Sequence, residues 1–376
     1  MVEALARSIE SGLDASQRNR TQTLVERRTG LVRRRLVSAR IGWIVVSISA
    51  VAWILSCAAP RTGDAEASAA PREHGHVHFL IPGAPGGGWD GTARGVGEAL
   101  VRSGLAPSVS YENLSGGGGG RALAHFIATA DRQQRTLLVS STPIVIASLR
   151  GHLPRSWRDT TPVASVIGDY LTFAASADSP IASWHAAVDA LRRDPASIKI
   201  AGGSVLGGMD HLVTSLAVAA AGADPRQLRY VPYDTGGKAR AALFAGETPL
   251  LATGLGEILD ARRGGLVRLL GVTAPERLPE APDVPTLAEL GAPVEFVNWR
   301  GFFAPPGLAP ERVEAWIALL EALLATPEWE EVRRRNGWVE IFRAGSDFEA
   351  FLVEQEHELA ELMDGMGMRR GHEERE

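Results

Sequence analysis

Short apolar runs recur along residues 77–303, and most are followed by a turn rich in Gly, Ser or Thr and then by apolar positions at helical spacing. The first run, 77–81, leads through a Pro- and Gly-rich turn into a helix opening near Asp90 and reaching about Ser103. Strands at 109–112 and 136–140 are followed by helices at 121–130 and 144–149. Residues 162–167 and 170–175 read as two strands. A helix at 184–193, a strand at 198–200 and a well-buried helix at 210–221 come next. The pattern repeats as a strand at 229–232 and a helix at 238–244. Further strands at 250–253, 266–272 and 295–303 are expected, with helices at 256–262, 286–291 and 311–325. Repeated strand–turn–helix units predict an α/β fold with mostly parallel sheets under covering helices.

The turns between these strands and helices carry the candidate chemistry. In open sheets of this kind ligands sit outside the carboxyl ends of the strands, where four of the polar or glycine-rich turns fall. Pro85, Gly86, Gly87, Gly88, Trp89 and Asp90 stand between the first strand and its helix. A helix start offers N–H groups without intrahelical partners and the positive end of the dipole, and glycines let a ligand approach the main chain. Asp90 is expected to cap the helix and shape the turn, because its charge repels an anion. Trp89 reads either as an apolar lid or as packing. The run of five glycines at 116–120 reads as a loop or as a second contact with a ligand. Gly203, Ser204, Gly207 and Gly208 repeat the first placement, with a hydroxyl on Ser204 able to donate. Tyr233, Thr235 and Gly236 form a further turn before a helix.

Composition narrows the function classes. A hydrophobic share of 45% and a charged share of 22% are ordinary for a globular protein, and the net charge of −5 gives no footprint for nucleic acid. One cysteine, Cys57, excludes an internal disulfide and a cysteine-built metal site. There is no nucleophile elbow around Ser204, no phosphate-binding P-loop, and no H-E-x-x-H pair for a metal. Ser204, Asp210 and His211 are near neighbours along one segment and do not make a triad; His211 reads as a packed histidine. The expectation is therefore a binding protein with no catalytic residue, no metal and no cofactor. Residues 1–40 are polar and Arg-rich, and 41–60 form an uncharged apolar segment long enough to span a bilayer. Two readings of it stand: a retained anchor helix, or a lipoprotein signal ending at Ser56 with a lipid on Cys57. Either places the body, after a polar linker at 61–75, outside the cytoplasm and at a membrane.

The body resembles the TctC or Bug family of tripartite tricarboxylate transporter receptors. The matching stretches are IPGAPGGGWDGTAR (81–94), VSYENLSGGGGG (109–120), IKIAGGSVLGGMDHL (198–212), YVPYDTGGKARAAL (230–243), VPTLAELG (284–291) and VNWRGFFAPPG (297–307). The resemblance implies a two-lobed Venus-flytrap, type II-like fold with two hinge crossings, near 170–175 and 297–303, preceded by the N-terminal apolar segment. Lobe 1 would span 76–173 and lobe 2 174–298, with 299–376 returning to lobe 1 and adding C-terminal helices. It further implies a monomeric receptor that holds a small carboxylate, such as citrate or a dicarboxylate, through main-chain groups of 85–90 and 203–208. Ser141, Thr142 and the 233–237 turn would line the cleft, and the permease subunits of the transporter would be the partner. A membrane-anchored sensory or scaffold module is the alternative. The chain departs from the family pattern in its five-glycine run followed by Arg121 and in its long leader.

Overall fold

The computed structural model of the protein describes residues 75–151, 155–194 and 197–369. The leader at 1–40, the apolar segment at 41–60 with Cys57, and all but the last residue of the 61–75 linker lie outside these described residues.

In chain order, β1 (His76–Ile81) leads into α1 (Gly88–Arg102), β2 (Ser108–Asn113) into α2 (Gly120–Ala128), and β3 (Thr136–Ser141) into α3 (Thr142–Leu149). The long strand β4 (Thr161–Ser176) precedes α4 (Trp184–Arg193). Then come β5 (Lys199–Gly202), α5 (Met209–Ala220), β6 (Arg229–Pro232), α6 (Gly236–Phe244), β7 (Leu250–Gly254), α7 (Leu255–Arg263) and β8 (Val267–Val272). The chain returns through β9 (Val297–Ala304) to α8 (Pro310–Leu324), α9 (Pro327–Arg335), β10 (Val339–Ala344) and α10 (Gly345–Gly365).

The strand order β2-β1-β3-β9-β4-β7-β5-β6 makes two half-sheets that share β4, with β8 and β10 also pairing to it. Up to Tyr170, β4 pairs with β9; from Leu171 onward it pairs with β7 and β8. The first crossing between lobes is therefore within one continuous strand, where the sequence pattern predicts two. The second lies between Phe296 and Val297. Thr273 ties both together: its hydroxyl accepts from Leu171 N at 3.0 Å and donates to Phe296 O at 2.6 Å. Its N–H donates to Leu171 O at 2.9 Å, and the Thr273 side chain is fully buried. The hinge is a pair of hydrogen-bonded crossings and not two loose linkers.

Alternation along the strands sorts the core onto two faces. In lobe 1, Val77, Phe79 and Ile81 pack with Val96, Leu100 and Trp329 on one side. Leu80 and Leu138 face the other way, toward Phe126, Val145 and Phe348. In lobe 2, Ala201 and Leu251 meet Leu243 and Ile258, while Ile200 and Ala252 meet Leu212 and Leu216. The helix expected at 286–291 is a single turn. Thr286 and Glu289 cap each other reciprocally, but Gly291 turns into the left-handed region and stops it. Elements α9 and β10 have weak patterns; in α9 only Trp329 and Val332 are buried within a charged nine-residue helix.

Candidate functional site

The lobes face each other across a cleft of about 630 Å³ at the carboxyl ends of β1, β3 and β5. From lobe 1, the turn after β1 brings Gly87, Gly88, Trp89 and Asp90 to the wall. The residue capping α1 is Gly87, which has no side chain to satisfy the first-turn N–H groups. Asp90 is the third residue of α1 and not its cap. It reaches back, its Oδ2 accepting from Gly86 N at 2.9 Å, while Oδ1 accepts from Arg94 Nε at 2.9 Å and Asn113 Nδ2 at 3.0 Å. Burial alone raises this carboxyl, but Arg94, Gly86 and Asn113 together hold it below its ordinary value. The Trp89 indole donates to Ser141 Oγ at 2.9 Å and packs beneath Gly83 and Gly119, so it ties three turns of lobe 1 together. Gly116, Gly117, Gly118 and Gly119 all line the cleft and all have positive φ, a conformation open to four successive residues only if they are glycines. Arg121 beyond them is exposed and does not line the cleft.

Lobe 2 answers with the turn after β5. GSVLGGMD at 203–210 parallels GAPGGGWD at 83–90, with glycine at the first, fifth and sixth positions of both and Asp210 where lobe 1 has Asp90. Again the cap of α5 is a glycine, Gly208, which has no side chain of its own to bond the first turn. Asp210 Oδ2 accepts from Gly203 N at 2.8 Å, and Ser204 Oγ accepts from Asp210 N at 3.0 Å. No basic side chain among the described residues pairs with Asp210. Burial and the nearby Glu257 push its carboxyl up to about 7, with the Gly203 N–H and Arg300 offsetting part of the rise. His211 Nδ1 accepts from Gly207 N at 2.8 Å, which requires an unprotonated nitrogen. Burial and the charge of Arg150 lower this histidine to about 4. A third uncapped start, that of α3 at Ser141, and the Thr235-capped start of α6 complete the ring.

The floor is built on the hinge strands. Along β9, Trp299 turns into the aromatic core of Phe303, Phe348 and Phe351, so its neighbours Asn298 and Arg300 face the cleft. Buried Arg300 pairs with buried Asp169 of β4 at 2.7 Å, donates to Gly88 O at 2.9 Å and to Thr92 Oγ1 at 3.1 Å, and lies 3.5 Å from Glu257. It thus fixes the start of α1 to the hinge. The Glu257 carboxylate lies between Gly88 and Gly236. A Cβ at Gly88 would lie 2.7 Å from Glu257 Oε1, and one at Gly236 would collide with Oε2. Burial raises the Glu257 carboxyl; Asp169 adds to the rise, while Arg300, Arg240 and Thr253 oppose it. At the rim, Arg150 of lobe 1 donates to Leu206 O of lobe 2 and rests against Gly207, whose added Cβ would be 2.7 Å from the guanidinium carbon.

The cleft brings together Gly87, Gly88, Trp89, Asp90, Ser141, Gly203, Ser204, Gly208, Tyr233, Thr235 and Gly236. Pro85 and Gly86 form the exposed tip of their turn, Thr142 is buried behind Ser141, and Gly207 sits under Arg150. Glu257, Asp169 and Arg150 escape a reading of the sequence. Asp169 and Glu257 gain meaning only when elements far apart in the chain meet, and Arg150 is a polar residue at a helix end. Alternation about Trp299 is the one signal that marks Arg300.

The family model for the tripartite tricarboxylate transporter family receptor matches residues 92–368. The chain is 31% identical to the UPF0065 protein in the tcbD-tcbE intergenic region of Pseudomonas sp. (strain P51), an alignment covering 69% of this chain and 77% of that protein. Among solved structures, the periplasmic binding protein BugD matches with a TM-score of 0.71 at 24% identity, over 79% of this chain and 99% of BugD. An R. palustris protein solved with adipate matches with a TM-score of 0.71 at 23% identity, over 78% and 98% of the two chains.

Proposed function

This chain belongs to the tripartite tricarboxylate transporter receptor family, a family of periplasmic solute receptors and not of enzymes, and we propose that it captures a small organic carboxylate between its lobes. The observation that carries this reading is the pairing of α1 and α5, two helix starts with a glycine at the cap, on opposite sides of one cleft. A hydrated carboxylate gives up many water contacts on burial, and preorganised N–H groups replace them without ordering long side chains. On this reading, Gly87, Gly88 and the main chain of Trp89 contact the carboxylate from lobe 1. Gly203, Ser204, Gly208, Thr235 and Gly236 approach it from lobe 2, and Tyr233 and Ser141 border it. Pro85 and Gly86 shape the tip of the first turn, and Thr142 and Gly207 support these turns from behind.

Closing about the stitched hinge buries the ligand and presents a changed surface to a membrane permease, which receives the solute. The receptor acts as a monomer outside the cytoplasm, held at the membrane by the 41–60 segment or by a lipid on Cys57. Mass spectrometry of membrane-extracted protein distinguishes these, since a lipidated Cys57 at a new N-terminus has its own mass. Calorimetry with citrate, tricarballylate, succinate, glutamate and an aromatic acid tests the capture itself. Saturable heat with at least one acid is expected; none with any of them contradicts the proposal.

A further inference from the structure

The two halves of the cleft carry the same aspartate with different compensation. Asp90 has Arg94 one turn on, at 2.9 Å; the residue at the same step from Asp210 is Thr214, fully buried, with no hydrogen-bond partner for its hydroxyl among the described residues. Beside Asp210 lies Glu257, the side chain of which is 15% exposed. The nearest cation, Arg300, is already engaged by Asp169 at 2.7 Å and reaches Glu257 only at 3.5 Å. Asp169, Asp210 and Glu257 therefore meet at the floor, where Arg300 is the one guanidinium among the described residues that pairs with any of their carboxylates, and Arg240, held on the Glu257 main-chain carbonyl, offsets Glu257 in part. Among the described residues two acceptors there also lack a hydrogen-bond partner: Glu257 Oε2, and Oδ1 of Asn298, a residue 6% exposed that lines the cleft from β9. A floor with excess negative charge and idle acceptors calls for a donor, and a positively charged one relieves both.

We infer that Glu257, with Asp210, is a specificity-determining residue that selects a carboxylate ligand bearing an ammonium group, so that the ligand is an amino acid and not a plain dicarboxylate. The ligand carboxylate lies at the glycine-capped helix starts; its ammonium group donates to Glu257 Oε2 and Asn298 Oδ1 and offsets the charge of Asp210. This inference rests on the proposed carboxylate-receptor function and adds the second pole of the ligand. A plain dicarboxylate would bring a further negative charge toward Glu257 and Asp210, which disfavours it.

Calorimetry of the protein at pH 8 with matched pairs differing by one amino group tests this: succinate and aspartate, adipate and 2-aminoadipate, 3-phenylpropanoate and phenylalanine. In a pair that binds, the amino member is expected to bind at least tenfold tighter. Glu257→Gln is expected to shrink that ratio tenfold or reverse it, and Asp210→Asn to act in the same direction if the first variant does not fold. Equal or tighter binding of the plain acid in every binding pair overturns the inference while leaving carboxylate capture standing. So does a Glu257→Gln variant that weakens both members of a pair equally, the mark of a merely structural residue. Absence of heat with all six compounds overturns the inference, and the reading beneath it falls too when citrate and tricarballylate also give no heat.

Discussion

Asp90 and Asp210 both lie in the first turns of their helices, as the third residue of α1 and the second of α5, and each folds back to accept an N–H from its own turn, from Gly86 at 2.9 Å and from Gly203 at 2.8 Å. Their environments then diverge. Arg94 and Asn113 surround Asp90, which is held low, whereas burial and Glu257 raise Asp210 to about 7. The duplicated turn gives the cleft one charge-compensated wall and one uncompensated wall.

That difference sets a pH dependence. An Asp210 carboxyl raised from 3.8 to about 7 binds its proton more tightly in the folded state. Its favourable contribution is complete below pH 3.8 and is lost as pH rises through 7. Asp210→Asn keeps an acceptor for Gly203 and removes the titration. The melting-temperature difference, variant minus parent, is expected to grow from pH 4 to pH 7 and level off, approaching roughly 4 kcal/mol in stability. A difference that stays constant across this window contradicts the assignment.

Arg300 and Asp169 are predicted to matter through each other. Replacing Arg300 by Met leaves Asp169 buried without its ion partner and frees Gly88 O, at a cost of about 3–5 kcal/mol. Adding Asp169→Leu should recover a large part of that loss. Chemical denaturation of the single and double variants measures it; additive losses would show that the pair is not coupled.

Closure is predicted to depend on contacts across the cleft. Arg150→Ala removes the donor to Leu206 O and its seat on Gly207, and is expected to weaken ligand binding about tenfold, the equivalent of roughly 1.4 kcal/mol. Gly237→Val attacks closure sterically, since its Cβ would stand 3.0 Å from the Gly86 carbonyl of the opposite lobe. Binding should be lost while the melting temperature of the free protein is kept. Small-angle scattering with ligand should show compaction of the parent and none of the Val variant.

The sequence made the strand–turn–helix rhythm legible because strands of period two and helices of period 3.6 leave different marks. The glycine turns were legible for a local reason too: Gly86 and residues 116–119 adopt positive φ and Gly88 leaves no room for a Cβ beside Arg300 and Glu257, and only glycine supplies this cheaply. The cleft floor was not legible, because its charges come from three distant stretches. Asp169 and Arg300 are 131 positions apart, and Glu257 meets Gly88 only when the lobes face each other. The continuous β4 strand was hidden by Gly168 and Asp169, which read as a break but serve as a close-packed point and an ion-pair anchor.

The central claim, that main-chain groups from opposing helix starts hold a ligand carboxylate, is tested most directly by a crystal structure of the protein with a bound organic acid. The expected result is carboxylate oxygens within hydrogen-bonding distance of first-turn N–H groups of α1, at Gly88 or Trp89, and of N–H groups from the facing turns of lobe 2. A ligand held by side chains alone, or bound away from the 83–90 and 203–210 turns, would contradict it.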